Sequence, residues 1–138
     1  MYCEKSGKFI DVTMSGFLRL RMKIAELAGK EWGSHYAKLA HPPLFGGKAA
    51  EFFHAFDDKT GELLAKGAVS ANIADFCLQS DCGGRIEPRT CAEILDVISD
   101  YNDDLPYGYT GRADCAKFSD FKRLLQECVK NKCDLIWD

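Results

Sequence analysis

The chain has 138 residues, about the size of one domain, with a formal net charge of −3 and a pI near 5.6. A 46% hydrophobic share with nine Phe, five Tyr and two Trp is enough to close a core without metal or cross-links, which excludes a disordered chain. The mild acidity gives no basic footprint for nucleic acid, and no apolar run reaches the ~18 to 20 residues of a membrane helix.

Residues 8–14 set Ile10, Val12 and Met14 against Phe9, Asp11 and Thr13, the alternation of a half-buried strand. Ser15 and Gly16 break it. From Phe17 the apolar positions Leu20, Ile24, Leu27, Ala28 and Trp32 recur at three and four residues, which predicts a helix over 17–31 ending near Gly29 or Gly33. Pro42, Pro43, Gly46 and Gly47 make residues 35–48 irregular. Leu44 and Phe45 in that loop either tuck into the core, the favoured expectation, or offer themselves to a partner.

Residues 50–56 and 62–69 flank a turn-like Asp, Thr and Gly segment at 57–61 and read as a hairpin. Ala49, Ala50, Glu51 and the Phe52, Phe53 and Phe56 set keep a helix as the alternative. A short helix follows over 70–78, then a loop at 80–84. Thr90 and Glu93 have the spacing of a capping box for a helix over 90–101, with Cys91, Ile94, Leu95, Ile98 and Tyr101 on one face. A strand is expected at 107–110. The last helix is expected from Asp114 or Ser119 over 115–130, and a closing strand through Trp137 with no tail after it. The pattern predicts one α+β domain over 1–138, a mainly antiparallel sheet of four or five strands packed with about three helices.

No secretory segment follows Met1, because Glu4, Lys5 and Lys8 interrupt it, so the expected compartment is the cytoplasm. Cys3, Cys77, Cys82, Cys91, Cys115, Cys128 and Cys133 are then reduced thiols, and the four-residue gaps in Cys77 to Cys82 and Cys128 to Cys133 match neither redox nor ordered zinc spacing. Cys128 falls on the apolar side of its helix and reads as core. No metal and no cofactor are expected. The weighed alternatives are a site mixing Cys77, Cys82 and a histidine, and a structural zinc module.

Gly46, Gly47 and Lys48 lack the rest of a phosphate-binding loop. Cys82, Arg85 and Arg89 beside a Gly-Gly bend could hold an anion, although their intervals do not fit a thiolate phosphatase. His35 and His41 are expected in solvent and His54 on a sheet, and pairing of Cys82 with His41 or His54 for nucleophilic catalysis is an open arrangement. The acid pairs at Asp57 and Asp58 and at Asp103 and Asp104 lie where turns already ask for Asp.

The segment 101–109 gathers Tyr101, Asp103, Asp104, Tyr107 and Tyr109 around Pro and Gly. Tyrosine offers wide contact area at small entropic cost, and the acids could steer a basic partner. The functional expectation is a small cytosolic interaction protein of inhibitor, immunity or adaptor type, more a binder than an enzyme. It would bind another protein through Tyr101, Asp103, Asp104, Tyr107, Tyr109, Leu44 and Phe45, with no nucleic acid and no membrane. The alternative is a small-ligand binder or enzyme around Cys82, Arg85 and Arg89.

Overall fold

The computed structural model describes residues 1–113 and 115–138, so the proposed helix start at Asp114 lies outside the described residues. In chain order it holds β1 (Tyr2–Cys3), α1 (Met14–Ala28), α2 (Lys30–Tyr36), a 3₁₀ turn (Ala37–Ala40), α3 (Gly47–Ala65), α4 (Ala71–Leu78), β2 (Gly84–Ile86), α5 (Pro88–Ile98), α6 (Phe118–Asn131) and β3 (Leu135–Trp137). The expected four- or five-stranded sheet with about three helices is therefore wrong. Among the described residues there are six α-helices and one three-stranded antiparallel sheet in the order β1-β3-β2.

Four expected strands, two of them in one hairpin, account for the difference. In residues 8–14 the alternation holds only in part: Ile10 and Val12 pack against the core and Phe9 is exposed, but Met14 is exposed as well, and only single bridges form, from Phe9 to Tyr2 and from Asp11 to Cys115. Thr13 instead caps α1, its hydroxyl accepting from the Gly16 amide at 3.0 Å. The hairpin expected over 50–69 is the single helix α3, because Phe52, Phe56, Thr60 and Leu63 form a helical stripe that outweighs the turn chemistry of 57–61. Thr60 sits inside that helix by donating its hydroxyl proton back to the Phe56 carbonyl at 2.9 Å. Residues 107–110 are irregular: the Tyr107 amide binds the Ala116 carbonyl while the Thr13 amide binds the Tyr107 carbonyl. This segment threads so closely past α1 that a Cβ at Gly16 would lie 1.8 Å from the Tyr107 carbonyl oxygen.

The Thr90 to Glu93 capping box is also corrected. Pro88 opens α5 two residues before Thr90, since proline at the first helical position gives up no needed amide, and Glu87 is the cap. Glu93 accepts instead from Asn72 Nδ2 at 2.7 Å and joins α5 to α4. The short helix at 70–78 forms as expected, with the Ser70 hydroxyl accepting from the Ile73 amide.

β3 is the centre of the sheet, with Leu135 opposite Cys3 on β1 and Ile86 on β2. Leu135 and Trp137 face the core, where Phe17, Phe76, Phe121 and Trp137 pack ring against ring at centroid distances from 5.4 to 6.2 Å. Arg21 is buried against these rings, 3.8 Å from the Phe17 centroid, and pairs with Asp81 at 2.5 Å. Its guanidinium and the Trp137 indole N–H both donate to the Ser80 carbonyl, which pins the loop at 80–84. Among the described residues no helix is long and apolar enough to cross a membrane.

Candidate functional site

The tyrosine segment is a latch. Tyr101 and Tyr107 both donate to one Asp103 oxygen, at 3.1 and 2.7 Å, while the other oxygen accepts from the Leu105 amide at 3.1 Å. Tyr107 is buried, the Tyr101 ring meets Phe118 edge-on at 5.0 Å, and Arg19 donates to the Pro106 carbonyl. Burial, then the hydrogen bond to Asp103, pushes the Tyr107 hydroxyl well above the ordinary tyrosine range. Tyr101, Asp103 and Tyr107 are thus spent on holding the loop to α1 and α6. Asp104 and Tyr109 remain exposed, Asp104 at 3.7 Å from the Lys117 ammonium and the Tyr109 ring near Arg112.

Cys82, Arg85 and Arg89 are all exposed, and Arg85 already donates to Asp134 at 3.1 Å. His35 is buried on α2 and His54 stands on α3, against the expected solvent and sheet positions, and His41 is exposed. Leu44 and Phe45 project outward at 76% and 86% exposure, which corrects the favoured expectation that they tuck inward. The 3₁₀ turn and the prolines carry the chain away from the core before α3 begins at Gly47.

The densest chemistry lies elsewhere, where Cys3, Cys128 and Cys133 bring their sulfurs within 4.8 Å of one another, all buried. Backbone geometry builds this corner. α6 closes with Lys132 in the left-handed region at φ 50°, and the Cys133 amide returns to the Cys128 carbonyl at 3.1 Å. That six-to-one closure brings the residue after the turn back against the last helical turn, so a four-residue gap between cysteines becomes a contact. β1 delivers Cys3 by pairing with Leu135, and Cys3 Sγ lies 2.8 Å from Cys133 Sγ. Cys91 on α5 lies against Cys128.

The turn after Cys3 is closed by the Gly7 amide on the Cys3 carbonyl at 3.0 Å, which keeps Lys5 and Ser6 next to the cysteine. The Ser6 hydroxyl and the amides of Ser6 and Lys5 favour the charged form of Cys3, and the Lys5 amide favours that of Cys133. Burial raises the Cys3 thiol, but these donors and Cys133 together outweigh it and bring it down to about 7. Burial and the neighbouring Cys3 push Cys133 up, and contact with Cys91 and burial push Cys128 up. Cys3 is therefore the sulfur that ionises first, with Cys133 donating to it.

The sequence reading missed this corner because Cys3 lies 130 residues from Cys133. The one local signal was the 128 to 133 spacing beside a helix end. Compared with known proteins, the chain matches no family model, no curated protein and no solved structure.

Proposed function

We propose that this chain is a small interaction domain that binds another protein through the loop bearing Leu44 and Phe45 and the outward face of α3. One observation carries the reading: two consecutive large apolar side chains stand in water at 76% and 86% exposure. Covering both would contribute roughly 3 to 6 kcal/mol, enough to anchor a complex. Phe53, on the next helix, adds a further half-exposed ring. Lys38 and Lys48 flank the loop and are exposed, with Glu51 exposed on the adjoining turn of α3, so the fitting partner is a protein with an apolar pocket whose rim sets carboxylates against the two lysines. On the other loop the tyrosine latch leaves Asp104, Leu105 and Tyr109 exposed, less uncovered apolar surface than Leu44 and Phe45 offer, which favours a binding surface at 41–53.

The test is photo-crosslinking from position 45 in the full chain, with position 89 as control. A protein crosslinked from 45 alone, whose binding to the purified chain weakens about 100-fold on Leu44→Ala with Phe45→Ala, supports the reading. Unchanged binding by the double variant overturns it, as does self-association in light scattering that the double variant abolishes, or sedimentation with lipid vesicles in place of protein.

A further inference from the structure

We infer that Cys3, Cys128 and Cys133 form a buried site for one zinc ion, tying β1 to the C-terminal turn of α6, with Cys91 as the adjacent sulfur. Three donors from two remote parts of the chain converge within 4.8 Å, and no carboxylate or imidazole belongs to the group. An all-sulfur set excludes magnesium and calcium and selects thiophilic ions. Bonds of about 2.3 Å to a tetrahedral ion would hold sulfurs roughly 3.8 Å apart, so the Cys3 to Cys133 pair opens by about 1 Å to admit it.

Charge decides between the thiophilic ions. Three thiolates around a divalent ion leave one negative charge in the interior, whereas a monovalent copper ion leaves two. The Lys5 ammonium sits beside the turn that carries Cys133, on the carbonyls of Asn131 and Lys132 at 3.1 and 3.2 Å, and sets a positive charge near the site. Binding takes all three sulfurs as thiolates, releases to solvent whatever protons they still carry and leaves sulfur at its oxidation level.

The experiment uses the full chain, purified in reductant, stripped with chelator and titrated with Zn²⁺ against a chromophoric competitor and, separately, with Co²⁺. The expected result is one ion per chain, a higher thermal midpoint with zinc and a thiolate-to-cobalt charge-transfer band. Cys3→Ser and Cys133→Ser should each weaken binding by about 100-fold or more, while Cys82→Ser changes nothing. The cobalt spectrum of the unmodified chain keeps the test decisive if a serine variant does not fold. A folded chain that takes up less than one zinc and shows no such band overturns the inference. So does stoichiometric copper(I) uptake without zinc, or a cystine peptide joining Cys3 to Cys133 with a mass two hydrogens light.

Discussion

α6 and α3 show two ways of holding a helix in this molecule. In its 14 residues α6 buries Phe118, Phe121, Leu124, Leu125 and Cys128, while the 19 residues of α3 bury Phe56, Thr60 and Leu63 alone. The first is clasped by α5, β1 and β3; the second leans mainly on α2, where His35 stacks on Phe56 at 4.1 Å and Lys66 pairs with Glu31. A helix held by one stripe can loosen without the rest, and its free face is available to something else.

The largest break in that contrast should come from the aromatic core. Phe76 touches Phe17, Phe121, Trp137 and Arg21. Phe76→Ala should destabilise the whole domain by about 4 kcal/mol in urea unfolding. Phe56→Ala, by contrast, should cost about 2 kcal/mol and act locally: amide exchange in 50–62 quickens while that of α6 is unchanged. Equal quickening in both helices would mean that α3 belongs to the same cooperative unit as the core.

A smaller break lies at Arg21, a buried cation of that core. Removing Asp81 leaves the guanidinium without its carboxylate, and Asp81→Ala should cost about 2 kcal/mol, less than a fully buried pair because Asp81 is 36% exposed and partly screened. Arg21→Met keeps apolar contact with the rings and removes the charge, so it should cost less than Asp81→Ala in the same measurement. The reverse order would make the charge pair itself the stabilising element.

Legibility followed side-chain number. α1, α4 and α6 each place several apolar residues on one face, so their periods stood out, as did the turn from α6 into β3. β1 and β2 have two and three residues, too few to carry a period, and their pairing depends on β3 from the far end of the chain. The 57–61 segment of α3 fits a turn and a helix equally by composition, and only Phe52, Phe56 and Leu63 meeting α2 and its neighbours decide it. In the candidate sites, the exposure of Leu44 and Phe45 follows from the path that the chain takes after the 3₁₀ turn. Spending both tyrosine hydroxyls on Asp103 requires α1, α6 and the loop to be assembled first. The thiol corner was hidden for a related reason: ligand spacing rules look along the chain, and this set is made by a strand pair and a helix closure.

The gentlest way to separate α3 from the core is acid. Thr60 gives its only proton to the Phe56 carbonyl, so its oxygen accepts from His35 Nε2 at 2.9 Å, which fixes the neutral imidazole with its proton on Nε2 and leaves Nδ1 buried with no hydrogen-bond partner among the described residues. Burial first, with Lys38 and Lys59 adding to it and the Phe56 backbone opposing, holds the His35 pKa below its ordinary 6.5. Above about pH 6.5 the ring is neutral in folded and unfolded chains, and its contribution to stability is complete. As pH falls below that value the unfolded chain takes up a proton that the folded chain refuses. Stability therefore declines, by at most about 1.4 kcal/mol per pH unit, and levels off once the pH has dropped below the folded-state value. The decline should appear first as faster amide exchange in α3, with α6 lagging. His35→Gln should flatten that pH profile, since glutamine keeps a donor for Thr60 but has nothing to protonate in this range. A profile in His35→Gln that still falls with the same slope would place the acid sensitivity of α3 on another group.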